Sequence, residues 1–191
     1  MGKDTKDITI SGYVVSVEPV TIRGLLNYRV RIVTPGIQSK IVYMREFPEG
    51  LEIGVYVDLK IVLSKQTGEE KLIVDDIMFQ KNVPKIIPVE TVIEEVSRGV
   101  TTTISCWRSG RYLSIPVEDE EILKKIPENL PAKMVCLFMD TVKGLRLISV
   151  FTEKEYRVLN RIKELAWSID RQIEEYEKNI DDYMKNVIEY V

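Results

Sequence analysis

Apolar and polar residues alternate through the first 80 positions of the chain. Five segments show this pattern and are predicted as strands: residues 8–22, 28–34, 38–45, 55–64 and 72–79. In the fourth segment, apolar side chains occupy every second position from Val57 to Leu63, as in a sheet with one buried face and one wet face. Turn residues such as Pro35 and Gly36 separate the segments, so this region predicts a small all-β barrel or sandwich.

The middle of the chain predicts a second, smaller domain after a linker at residues 81–85. Its elements are strands at 101–107 and 111–117, a helix at 118–126, and strands at 132–142 and 145–151, with an optional helix at 89–98. The predicted order is therefore β-β-α-β-β. Cys106 and Cys136 fall within strands, where we expect two buried, reduced thiols, and a disulfide between them stays open at this stage.

The last forty residues predict one long helix. Thr152 and Glu155 form a capping box, and Phe151 precedes it as a hydrophobic staple. Apolar residues then recur in steps of three and four, which is the heptad pattern of a coiled coil. We expect this seam to mediate self-association or to bind a partner helix, and packing of the helix on its own domains is the alternative. The predicted contact residues are Leu159, Ile162, Ile169, Ile173, Tyr176, Ile180, Tyr183 and Val187.

Composition narrows the classes of function. The 191 residues carry 27 Lys and Arg against 30 Asp and Glu, a net charge of -3, which excludes a strongly basic protein that coats phosphates. There is no histidine, so the usual general base and zinc ligand are missing. A nuclease-like spacing, Asp58 followed by Glu69, Glu70 and Lys71, fits a solvated hairpin better than a Mg²⁺ site. We expect no enzymatic activity, no cofactor and no metal.

The ends and the residue bias bear on location and source. The first six residues are polar and no apolar run follows them, so we expect a cytoplasmic protein that does not associate with a membrane. Ile, Val, Lys and Glu are abundant while Gln is scarce. This bias favours a thermophilic, archaeal-like source, since charged networks gain value at high temperature.

Four short runs in the first 80 residues resemble the OB-fold, the five-stranded barrel of single-strand-binding proteins and tRNA-binding modules. They are residues 11–15 (SGYVV), 28–32 (YRVRI), 51–54 (LEIG) and 67–69 (TGE). The helix that usually follows the third strand of this fold is squeezed into residues 46–54, which is short. The resemblance implies that oligonucleotides bind on the wall made by strands two and three and on the loops beside it.

Basic and aromatic residues fall on that implied surface. Arg29 and Arg31 share a face, because residues two apart in a strand point the same way. The candidate nucleic-acid-binding residues are Arg23, Arg29, Arg31, Lys40, Tyr43, Arg45, Lys65 and Lys71. Residues 1–85 hold 12 basic and 11 acidic residues, a weak balance for such a binder. The implied partner is single-stranded DNA or RNA, and the sequence does not choose between them.

The predicted fold class is mixed β and α, in three parts. An OB-like barrel covers 1–80, a linker and small α+β domain covers 81–151, and a long C-terminal coiled-coil helix covers 152–191; no tandem repeat is visible. Residues 109–116 are similar in shape to the opening of AbrB-type swapped-hairpin domains. The leading functional hypothesis is a non-catalytic, oligomeric binder of single-stranded nucleic acid. The alternative is an assembly or adaptor subunit whose barrel docks a protein.

Overall fold

Two sheets follow one another along the chain in the computed structural model, which describes residues 8–66 and 69–188. The first sheet contains β1 (Ile8–Ile22), β2 (Leu25–Val33), β3 (Ser39–Met44), β4 (Tyr56–Gln66) and β5 (Glu69–Phe79). The second contains β6 (Val89–Ser97), β7 (Thr103–Arg108), β8 (Arg111–Pro116), β9 (Ala132–Thr141) and β10 (Gly144–Phe151). The helices are α1 (Glu120–Lys125) and α2 (Glu153–Ile188).

Strands β1 to β5 close into a barrel, here called the first barrel. Its order is β1-β2-β3-β5-β4, with β3 and β5 joined in parallel at Tyr43 and Ile73. Gly12 permits the close crossing of β1 and β2, because a Cβ atom there would lie 2.6 Å from Cγ2 of Ile32. Val14, Val30 and other alternate residues fill the core. This strand order is that of the OB-fold, so the prediction of an OB-like barrel is confirmed.

Strands β6 to β10 form the second sheet, in the order β10-β9-β6-β7-β8. The prediction of a helix at 89–98 was wrong, because β6 occupies that segment and lies between β7 and β9. Its residues alternate, with Thr91 and Ile93 buried while Glu90 and Glu94 are exposed. The unit is therefore β-β-β-α-β-β, and the AbrB-type similarity is not shown.

The second sheet repeats the topology of the first barrel without repeating its sequence. If β6 to β10 are matched in order to β1 to β5, every strand pairing of the first barrel recurs except that between the third and fifth strands. Those two strands, β8 and β10, approach each other without pairing. Helix α1 follows the third strand and buries Ile122 in the second core. The structure thus contains two OB-type units in tandem, the second partly open.

A third apolar core joins the two units. Val15 and Val33 of the first barrel share this core with Leu137 of β9 and Ile148 and Phe151 of β10, and all five are buried. Strand β9 is buried on both faces, because its alternate residues face the second core on one side and the third core on the other. The two units therefore pack as one body.

Helix α2 packs on the first barrel. Its capping box is confirmed: Oγ1 of Thr152 accepts a hydrogen bond from the Glu155 backbone at 3.1 Å, and a Glu155 carboxylate oxygen accepts one from the Thr152 backbone at 2.7 Å. Ala166 is buried in the barrel core, and Leu159 packs against the third core. The helix thus covers an end of the barrel where the segment after β3 provides no helix of its own.

The predicted fold class, mixed β and α with a C-terminal coiled coil, was wrong on two points. The described residues are mostly β, and no coiled coil is seen among them. The physical reason is that packing on a barrel and packing in a coil require the same apolar spacing, and here the barrel takes the first turns of the seam. No helix within residues 8–66 and 69–188 combines the length and apolar character needed to span a membrane.

A three-residue ion cluster fixes α2 to the barrel. Glu52 accepts hydrogen bonds from Lys163 of α2 and from Lys85, which precedes β6. The bonds from Lys163 and then Lys85 hold the pKa of the Glu52 carboxyl below its usual value of 4.5. One carboxylate therefore ties together the barrel, the connection to the second sheet and the C-terminal helix.

Candidate nucleic-acid interface

Four of the predicted binding residues come together on the outside of the first barrel. We call Arg29, Tyr43, Arg45 and Lys71 the barrel wall. Arg29 of β2 lies directly opposite Tyr43 of β3, so the two side chains share a face. Arg45 lies two residues beyond Tyr43, and the Lys71 Nζ atom is 5.3 Å from the centre of the Tyr43 ring. The wall therefore combines an aromatic ring with three cations.

The charge of the barrel wall is partly neutralised. Nη1 of Arg29 donates to a carboxylate oxygen of Glu18 at 3.0 Å, and both side chains are substantially exposed to solvent, at 40% and 45%. An exposed pair of this kind contributes little to stability, and its arginine can exchange Glu18 for another anion. The wall is thus suited to weak, salt-sensitive contacts with phosphate.

Arg31 does not belong to this surface, although it shares a strand face with Arg29. Its guanidinium donates to Oγ of Ser149 at 3.1 Å and to a carboxylate oxygen of Asp119 at 3.5 Å. Only 12% of its side chain is exposed. The second sheet covers this part of β2, so Arg31 joins the two units and is withdrawn from the candidate interface.

Three further predicted residues lie away from the barrel wall. Lys40 pairs with Ile32, a core residue, so it shares the inward face at the end of the barrel. Arg23 occupies the tight turn between β1 and β2, with φ of 53°, six residues before Arg29. The side chain of Lys65 lies outside the described residues. These three do not extend the surface made by the other four.

An open cleft of about 560 Å³ adjoins the barrel wall at Arg45. The cleft lies next to the single bridge between β3 and β5, which joins Tyr43 and Ile73. Asp76 lines it and uses one carboxylate oxygen to accept the backbone hydrogen bond of Ile77 at 2.9 Å. Glu46 and Asp75 also line the cleft, so three carboxylates face one arginine and the cleft does not favour an anion.

An exposed aromatic pair outside the predicted binding residues lies on the second sheet. Trp107 and Tyr112 face each other across β7 and β8 with ring centres 5.5 Å apart, and they are 45% and 54% exposed. Arg108 and Arg111 flank the turn, and the guanidinium of Arg108 lies 4.9 Å from the centre of the Phe138 ring. The sequence favours a core role for a tryptophan at a strand end. Its position just before a serine-glycine turn with two arginines was the available signal.

The two cysteines and the nuclease-like carboxylates were the other candidates for chemistry in the sequence. Cys106 and Cys136 are buried and free, and burial raises the pKa of the Cys136 thiol to about 12. The Asp58 carboxylate accepts a hydrogen bond from the Gln80 side chain, and the side chains of Glu69 and Glu70 lie outside the described residues. Within residues 8–66 and 69–188, no three His, Cys, Asp or Glu residues gather as a metal site.

The predicted oligomerisation residues divide into three groups. Leu159 and Ile162 are partly buried and line a pocket between α2 and the first barrel. Tyr176 and Ile180 are 68% and 46% exposed. The side chains of the others lie outside the described residues: Ile169, Ile173, Tyr183 and Val187. The first group thus serves the chain's own fold.

Comparisons with known proteins give little. No family model matches the sequence, and no curated protein matches it. Among solved structures, the chain is similar to the tetrameric p202 HIN2, with 10% identity and a TM-score of 0.32 over 77% of this chain and 91% of that one. It is also similar to a structure described as "Structural mimicry for functional antagonism", with 11% identity and a TM-score of 0.30 over 75% of this chain and 89% of that one. At these TM-scores the likeness carries no weight for fold or function.

Proposed function

We propose that this protein binds single-stranded nucleic acid through the barrel wall and catalyses no reaction on it. The observation that supports the proposal is the grouping of Arg29, Tyr43 and Lys71 on the outer side of the second and third strands of an OB-type barrel. Strands two and three of this fold are a surface on which oligonucleotides bind. Flat aromatic surface next to cations suits unpaired bases and their phosphates.

The charge of the wall sets the expected strength of binding. Arg29, Arg45 and Lys71 can each neutralise one phosphate, and each contact contributes about 0.7 to the log–log salt slope for a single strand. The expected slope is therefore roughly -2, much shallower than that of a strongly basic binder. The net charge of -3 on the whole chain agrees with modest affinity that is lost at high salt.

Fluorescence anisotropy with a labelled oligo-dT, repeated across salt concentrations, tests the proposal. The double variant Arg29→Ala, Lys71→Ala should make the salt slope shallower by about one unit or more, because two phosphate contacts are removed. Lys60→Ala is the matched control, since Lys60 is 59% exposed on β4 of the same barrel but outside the wall. Absence of binding by the wild type at low salt would refute the proposal. Binding that the double variant leaves unchanged would place the interface elsewhere.

A protein-docking subunit is the second candidate function. Tyr176 and Ile180 are exposed on α2 well beyond Ala166, where the helix meets the barrel core. Large exposed apolar residues on one element favour a protein partner. If the chain fails to bind oligo-dT but light scattering gives a mass above one chain that falls when residues 172–191 are removed, this candidate replaces the first.

A further inference from the structure

Trp107 and Tyr112 form an aromatic surface that the fold of the second sheet does not use. A tryptophan and a tyrosine together offer a large apolar area, and folded chains normally bury most of it. Here 45% and 54% of the two residues remain exposed. Their rings meet edge to face at 67°, and both residues keep about half of their surface open to solvent.

The pair belongs to a row of side chains that crosses four strands. In register, Tyr112 of β8 lies opposite Trp107, Trp107 opposite Val92 of β6, and Val92 opposite Lys133 of β9. Neighbours across strands share a face, so Lys133 lies on the same side as the rings, about 10 Å from Trp107. A cation and an aromatic surface are therefore presented together.

The cation on the face of the rings is Lys133, because Arg108 and Arg111 pair with each other one position along from the rings and so lie on the opposite face. Glu90 and Glu95 also lie on the face of the rings, so this surface suits a single phosphate contact beside the aromatic pair. Lys133 contacts Glu90 at 2.9 Å, but both side chains are about two-thirds exposed, at 65% and 64%. Such a surface pair is weak, so a phosphate can take the place of Glu90.

The position of the row within the unit points the same way. Strands β7 and β8 correspond in topology to β2 and β3, which carry Arg29 and Tyr43 in the first barrel. We propose that Trp107 and Tyr112 stack on unpaired nucleobases, with Lys133 contacting the adjoining phosphate. This makes the second sheet a base-dependent site, and it rests on the proposed function of the protein.

Two oligonucleotides of equal length separate stacking from phosphate contact. One is labelled oligo-dT, and the other is a labelled abasic strand with the same number of phosphates. Wild type should bind oligo-dT about tenfold more tightly, because one stacked base is worth on the order of that factor. Trp107→Ala should reduce this preference, with Tyr43 of the barrel wall supplying the remainder, and should leave binding of the abasic strand unchanged. Trp107→Phe should retain part of it, and Arg29→Ala should weaken both strands alike.

A spectroscopic readout supports the same test. The chain has two tryptophans, so Trp167→Phe leaves Trp107 as the sole indole. Oligo-dT should quench its emission and the abasic strand should not.

If Trp107→Ala does not fold by circular dichroism, Tyr112→Ala provides the second variant, because that residue is more exposed. Binding of both strands with equal affinity, or a preference that neither substitution reduces, overturns the inference alone. Failure to bind either strand overturns the proposed function as well.

Discussion

Gly54 shows at the scale of one residue how the first barrel holds the connection to the second sheet. Its φ is +88°, and its backbone N–H donates to the Val14 oxygen at 2.7 Å while its oxygen accepts from the Ile86 N–H at 2.9 Å. A Cβ atom at this position would lie 1.8 Å from the Ile86 backbone oxygen. Only glycine satisfies both the conformation and the contact.

Gly54→Ala should therefore destabilise the protein by at least about 2 kcal/mol, since strain in the left-handed region and a backbone clash add together. Urea unfolding followed by circular dichroism measures the change. Gly36→Ala is the control, because a Cβ atom there meets only Oγ1 of Thr34, at 3.9 Å. Equal stability of the two variants would contradict this account.

Residue-level reasoning from the sequence succeeds or fails according to what covers each side chain. Strand alternation placed Arg29 and Arg31 on one face of β2, but packing between sheets then separated them, because Ser149 and Asp119 take up Arg31. A periodic pattern reports which face a residue occupies and not what lies against that face. The same gap explains Trp107, which lies on a face of β7 that leaves 45% of the residue exposed.

Helix α2 illustrates the same ambiguity at the scale of an element. Its capping box and apolar seam were visible in the sequence, while its partner was not. Ala166 is 5% exposed and reaches the barrel core, where a small residue lets the helix approach closely. The contact with the barrel thus explains the small residue at position 166.

Ala166→Leu should destabilise the protein by about 1–3 kcal/mol, because the larger side chain overpacks the contact between α2 and the barrel. Leu165→Ala is the adjacent control. Leu165 is 53% exposed, so its loss should change stability by no more than about 0.5 kcal/mol. Thermal or urea unfolding of both variants measures the difference. A neutral Ala166→Leu would show that the helix does not pack on the barrel in solution.

The ion cluster at Glu52 predicts how the attachment of α2 responds to pH. The pKa of Glu52 is lowered in the folded protein by Lys163 and Lys85, so its stabilising contribution is present above its unfolded value near 4.5 and is lost as pH falls through the folded value. Glu52→Gln should be less stable than wild type at neutral pH, and the difference should shrink as the solution is acidified. Glu153→Gln, which changes an exposed residue at the start of α2, should show a much smaller difference. A Glu52→Gln gap that persists unchanged in acid would refute the role of this cluster.

At the scale of the whole molecule, the sequence contained a signal for the contact between the two units. Residues 134–139 (MVCLFM) form an unbroken apolar run, and every one of them is buried. Such a run indicates a strand covered on both faces, in contrast to the alternation of a half-exposed strand. The tandem repeat of topology had no such signal, because two units can share strand order while their side chains differ throughout.

The shared core predicts that both units unfold together. Leu137 is fully buried in the core that also contains Val15 and Val33, so Leu137→Ala should cost about 2–5 kcal/mol. Although Leu137 belongs to β9, the slowest-exchanging amides of β1 and β2 should lose the same protection as those of β6 and β9 in native-state hydrogen exchange. Val142→Ala, in the exposed turn after β9, should leave both sets unchanged. Protection lost only in the second sheet would mean that the first barrel folds independently, whereas equal loss makes the two units one cooperative body.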